Sequence, residues 1–151
     1  MNLTKKSSGV KWVYAAGVFD LLHYGHVRYL EAAKSLGDVL VVGLLTDEGT
    51  RRYKPDYPIM NYAERKEVIE ALRCVNFIVP QDDTDPTATL KRINFEHGWT
   101  FDYMVRGDDY QGIPQGSEYI HENGGKVIRI PYCKEISSTR IKERIAEVNI
   151  R

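Results

Sequence analysis

The stretch best able to do chemistry runs from Gly17 to His26, where two imidazoles stand three residues apart as His23-Tyr24-Gly25-His26. An apolar run at 12–16 precedes it, and Val27, Leu30, Ala33 and Leu36 follow near helical spacing. The order is therefore strand, turn, helix. Gly17 frees the turn and Gly25 leaves room beside the helix start. That start offers unpaired N–H groups and the positive end of the helix dipole, where a phosphate is readily held. Imidazoles placed there donate hydrogen bonds and, when charged, follow negative charge as it builds. The bland alternative is that His23 caps the turn and His26 lies on the surface. The motif's position, directly after a strand and Gly17-Val18-Phe19-Asp20, favours phosphate chemistry.

A second cluster, Ile136-Ser137-Ser138-Thr139, opens the last helix. One hydroxyl would be an ordinary cap, whereas three in succession after an apolar anchor suit a second phosphate seat. Between the clusters, residues 49–61 read as a polar loop broken by Pro55 and Pro58 and carrying Arg51, Arg52 and Lys54. Solvated charge is the usual fate of such a run, but beside a phosphate site it makes a clamp.

The elements that must position these groups alternate strand and helix. Residues Val39–Leu45 are apolar without alternation, as in a parallel strand covered on both faces, and Thr46 and Asp47 stand at its carboxyl end, where such sheets bind ligands. Each of those two could equally be a turn cap. Asn61 with Glu64 predicts a capping box and a helix to about Arg73 burying Val68, Ile69, Leu72 and Ala63. Further strands are predicted at 75–80, halted by Pro80, and at 101–105 and 126–130. Helices are predicted at 87–96, with Leu90, Ile93 and Phe95 as the apolar side, at 115–123, and from 136 onward, burying Ile141, Ile145 and Val148.

The chain has 151 residues, enough for one core that buries roughly two-thirds of its unfolded surface. We expect residues 1–10 to be a flexible arm and 11–151 a single domain. Basic and acidic residues number 21 each, so no bulk charge points to nucleic acid or an anionic membrane, and a polyanion must be met by a local cluster. Cys74 and Cys133 have no metal-type spacing. With no apolar leader and no long apolar run, a cytoplasmic protein is expected.

From about residue 11 onward the sequence resembles the HxGH nucleotidyltransferases, and within them the cytidylyltransferases typified by glycerol-3-phosphate cytidylyltransferase. The resemblance implies an α/β, Rossmann-like fold: an open parallel five-stranded sheet with helices on both faces. It implies transfer of a nucleoside monophosphate, CMP from CTP or possibly AMP from ATP, to a small phosphorylated acceptor such as glycerol 3-phosphate, with pyrophosphate released and Mg2+ travelling with the triphosphate. In that resemblance His23, His26, Lys54 and Arg65 are the catalytic groups. Gly17, Val18, Phe19, Asp20, Gly25, Thr46, Asp47, Arg73, Gly107, Asp108, Asp109, Tyr110, Ile136, Ser137, Ser138 and Thr139 bind the nucleotide, and no residue is a dedicated metal ligand. A homodimer is also implied. Tyr132 and Glu135 stand where the family carries the first and last residues of Arg-Thr-x-Gly, and Val18 where it commonly has Thr, which leaves CTP and ATP both open. The segments 116–118 and 123–125 resemble adenylyl-transferring relatives of heptose activation, which gives a sugar phosphate as the alternative acceptor. A nucleotide-binding module without turnover is the non-enzymatic alternative.

Overall fold

The computed structural model describes residues 8–109, 111–131 and 133–150. Its strands are β1 (Trp12–Gly17), β2 (Val39–Leu45), β3 (Phe77–Gln81), β4 (Tyr103–Gly107) and β5 (Lys126–Ile130). All pair in parallel in the order β3-β2-β1-β4-β5. The helices are α1 (Tyr24–Ser35), α2 (Asp47–Arg51), α3 (Tyr62–Glu70), α4 (Thr87–His97), α5 (Ser117–Glu122) and α6 (Ser138–Ile150). This is the Rossmann-like architecture expected, and the order reverses between β1 and β4. A crevice must open there, beyond the carboxyl ends of those two strands.

Strand alternation divides the core into two layers. Val13 and Ala15 of β1 join Val105, Leu30 and Ala33 of α1 and Ile69 of α3 on one face. Trp12 and Tyr14 join Met104, Leu90 and Ile93 of α4 and Ile120 of α5 on the other. Burial on both faces explains why β2 reads as an unbroken apolar run.

Several expectations need correction. Residues 47–51 form the short α2 because Thr46 Oγ1 accepts the Gly49 N–H at 3.1 Å, so the segment expected as loop starts as helix. Helix α3 ends at Glu70, and Val68 and Ala63 face solvent while Arg65 takes the buried position. Pro80 does not halt β3 but lies within it, tolerated because β3 is an edge strand. Phe95 is 93% exposed rather than on the apolar side of α4. Helix α6 has the expected 3.6-residue period, yet no residue of it is buried and Ile145 and Val148 face solvent. Among the described residues nothing covers that stripe, and the helix is held by its first turn. No helix among the described residues is long and apolar enough to cross a membrane.

Candidate active site

The crevice is a cavity of about 590 Å³ lined by the β1–α1 turn, the loop after α2, the end of β4 and the start of α6. His23 and His26 both line it. The bland capping reading of His23 is correct as geometry and does not compete with chemistry. His23 Nδ1 accepts the Gly25 N–H at 3.1 Å, and His26 Nδ1 accepts the His23 N–H at 3.3 Å, a capping box built from two imidazoles. An acceptor nitrogen carries no proton, so these hydrogen bonds assign the ring proton of each neutral imidazole to Nε2. The rings stack with centroids 3.7 Å apart.

Burial pushes both imidazoles below their ordinary range, and His26 goes down to about 4, helped by charge on His23. The pair is therefore neutral near pH 7, and its two Nε2–H groups are what it can offer a phosphate. Charged imidazoles, the other option left by the sequence, are disfavoured in the free protein. Gly25 is required by close approach, since a Cβ there would lie 3.0 Å from the His23 ring and 3.1 Å from Ile136. The turn itself takes its left-handed residues not at glycine but at Phe19 (φ 53°) and Leu21 (φ 50°), strain at the loop that positions the histidines. Gly17 serves instead to admit the Phe19 ring, 2.8 Å from where its Cβ would be.

Asp20, expected among the nucleotide-binding residues, lines the cavity and braces the turn. Its carboxylate accepts the Ile59 and Met60 N–H groups at 2.8 and 2.9 Å, and its carbonyl accepts the Ser138 hydroxyl at 2.6 Å. One residue thus joins the histidine turn, the segment before α3 and the start of α6. Ser137 caps α6 by accepting the Arg140 N–H at 3.1 Å, and Ile136 is buried beneath it. Ser137, Ser138 and Thr139 all line the cavity, but the first two hydroxyls are engaged within the protein and the Thr139 hydroxyl is not.

Arg65, expected on phosphate, does not line the cavity. Its side chain is fully buried, with Nε on Met60 O, Nη1 on Val18 O and Leu45 O, and Nη2 on Asp47 Oδ1 at 2.7 Å. It holds strand ends together. Asp47 is its partner, and Thr46 caps α2, so neither contacts the cavity. Arg73 is exposed beyond α3, and Asp108 binds the Ile130 carbonyl through its N–H, so these too lie off the lining. Gly107, Asp109, Val18, Phe19 and Lys54 line it as expected. Tyr110 and Tyr132 fall outside the described residues.

Two cations were missed by the sequence reading, Arg106 at the end of β4 and Lys142 in α6. Lys142 follows Ser138 by four residues, which puts both on one helix face, and that spacing could have found it. Burial, and then the charge of Lys142, lowers the Lys54 ammonium below its ordinary range, so the two amines share one end of the site. Among the described residues no three His, Cys, Asp or Glu side chains come together as a metal site.

Comparison with known proteins agrees with this geometry. The family model described as cytidylyltransferase-like matches residues 14–144, and the chain belongs to that family. It is a nucleotidyltransferase domain. It is 39% identical to the bifunctional protein HldE of Citrifermentans bemidjiense over 142 residues, which is 92% of this chain and 28% of that protein. The HldE of Geotalea uraniireducens is 36% identical over 151 residues, 97% of this chain and 29% of the relative. The chain thus spans under a third of the length of these curated relatives. The crystal structure of the lipopolysaccharide core biosynthesis protein from Thermoplasma volcanium superposes with a TM-score of 0.67 at 29% identity, covering 83% of this chain and all of that one.

The buried ion pair yields a stability prediction. Asp47→Ala leaves the enclosed Arg65 guanidinium without its carboxylate and is expected to cost about 3 kcal/mol in urea denaturation. Lys66→Ala, which breaks the exposed pair with Glu70, is expected to cost about 0.5 kcal/mol or less. Equal losses would mean that Arg65 is not a structural centre.

The histidines yield a second. The folded His26 protonates near 4 and the unfolded one near 6.5. Stability from this group is therefore complete above 6.5 and declines as pH falls toward 4, because the unfolded chain takes up the proton first. NMR titration of the His26 ring in the free protein should show no protonation at pH 6, and a midpoint at or above 6 would refute the neutral pair.

Proposed function

We propose that this domain transfers AMP from ATP to the phosphate of a sugar phosphate, releasing pyrophosphate. The reaction class rests on one observation above all: the starts of α1 and α6 converge on a single cavity that also holds Lys54 and Lys142. The substrate choice draws support from the likeness to HldE, from the solved relative named for lipopolysaccharide core biosynthesis, and from the heptose-activation resemblance of segments 116–118 and 123–125. CTP with glycerol 3-phosphate is the second reading, its nucleotide favoured by the family's own description and its acceptor by the resemblance of the sequence.

An oxygen of the acceptor phosphate attacks the α-phosphorus in line. A new P–O bond forms there, the bond from the α-phosphorus to the bridging oxygen breaks, and its electron pair leaves with pyrophosphate. No side chain becomes covalently modified, so the protein contributes position and charge. The Nε2–H groups of His23 and His26 donate to the α- and β-phosphate oxygens, and those bonds strengthen as charge gathers on the leaving group. Lys54, Lys142 and the first turn of α6 receive the pyrophosphate. Asp56 and Asp109 line the cavity, but the residues do not form a cage for magnesium, and the ion fits as a companion of the triphosphate, neutralising its oxygens.

The test is a matrix of four nucleoside triphosphates against sugar phosphates and glycerol 3-phosphate, scored by pyrophosphate release. ATP with a sugar phosphate should give the fastest turnover. Turnover confined to CTP with glycerol 3-phosphate would replace this reading by the second, and tight nucleotide binding without release in any pairing would replace both by a non-catalytic module. With the best pair, His26→Ala should lower kcat by about a hundred- to a thousand-fold, as for loss of one preorganised donor. Near wild-type turnover in folded variant would remove His26 from the mechanism.

A further inference from the structure

The two histidines stand at the start of α1, which packs on one layer of the sheet. Arg106 comes from the other. Along β4, Val105 packs in the layer with Leu30 and Ile69, while Met104 packs with Leu90 and Ile120. Side chains alternate along a strand, so Arg106 projects to the Met104 side. Its one hydrogen bond among the described residues agrees, with Nη2 reaching the Thr84 carbonyl, just before α4, at 3.5 Å. Arg106 nonetheless lines the same cavity as the histidines, because it stands at the strand's carboxyl end, where the layers meet.

Its state contrasts with that of Arg65. Four hydrogen bonds engage Arg65 and an aspartate neutralises it. Arg106 has a single contact at the limit of hydrogen-bond length and no ion pair among the described residues, although Asp109 lines the same cavity. Its charge is felt by the phenols of Tyr29 and Tyr53, which also line the cavity. A half-buried guanidinium with most of its planar donor fork uncommitted suits a tetrahedral oxyanion.

In-line displacement puts the attacking oxygen opposite the leaving one. We propose that Arg106 seats the acceptor's own phosphate, the group whose oxygen attacks, across the sheet edge from the triphosphate. This rests on the nucleotidyl-transfer reading and adds to it the residue that recognises the second substrate. Arg106 is thereby a substrate-binding group selective for a phosphorylated acceptor over the free alcohol.

The experiment titrates inorganic phosphate by calorimetry into protein saturated with α,β-methylene-ATP, using wild type, Arg106→Gln and Arg106→Lys. Arg106→Gln should keep the melting temperature and analogue affinity of wild type and weaken phosphate about ten- to a hundred-fold, as for loss of charge-assisted hydrogen bonds. Arg106→Lys should fall between. In turnover, the acceptor KM should rise by the same factor while the ATP KM holds. Unchanged phosphate affinity in Arg106→Gln, no phosphate binding by wild type, or a joint loss of analogue and phosphate affinity would each overturn the assignment while leaving the nucleotidyl-transfer reading standing. Failure of wild type to bind the analogue would instead sink the adenylyl reading, and this inference with it.

Discussion

A parallel sheet leaves backbone carbonyls at its carboxyl edge with no strand to pair them, and the site must be built on that edge. Arg65 answers the problem with one side chain. Its guanidinium takes carbonyls from the end of β2, from Val18 just after β1 and from Met60 before α3, and its charge is met by Asp47 at the start of α2. Lysine offers three donors from a point and could not span those directions, whereas the planar fork can. Burying the charge is costly unless all of this geometry is present, so four segments are fixed relative to one another or not at all. Asp20 extends the same construction by binding the 59–60 amides and the Ser138 hydroxyl. The walls of the cavity are thus tied together by two residues, Arg65 and Asp20.

The histidines show how local structure decides reactivity. A helix start leaves amide N–H groups without partners, and a side chain that accepts from them must present a bare nitrogen. In this chain the accepting nitrogen is Nδ1 in both rings, which directs each remaining N–H away from the backbone. Capping and phosphate binding are therefore one arrangement seen from two sides. Burial keeps both rings uncharged, and at His26, with Phe19 edge-on to it, the charge of the stacked His23 opposes protonation further.

The sequence carried the architecture well where one physical signal was unopposed. Strands β2 and β5 fall where they were expected, and β2 does so because a strand buried on both faces of a parallel sheet has no polar side to blur its ends. The helices fared less well at their faces. Periodicity announces that a stripe exists on α6 but not that anything lies against it, and Phe95, two residues past the buried Ile93, falls on the far side of α4 and points outward. The site divides the same way. Two histidines at a helix start and a run of hydroxyls carry their role in their spacing, and the cavity contains them. Arg65 was expected on phosphate from the family resemblance, and only coordinates show its donors already engaged. Arg106 needed its face to be known before its charge meant anything, whereas Lys142 was within reach of its spacing from Ser138.

The chain has 21 basic and 21 acidic residues, so attraction for a polyanion is made by placement alone. The cavity lining includes Lys54, Lys142 and Arg106, against Asp20, Asp56 and Asp109, and the Asp20 carboxylate is tied to amides. Burial opposes the charge of Lys54, and the nearby charge of Lys142 opposes it further. On the proposed reading, a polyphosphate lying between the two ammonium groups would turn that repulsion into attraction at both ends. On that reading it would also raise the proton affinity of His26, whose neutrality depends first on burial and then on the charges of His23 and Lys54.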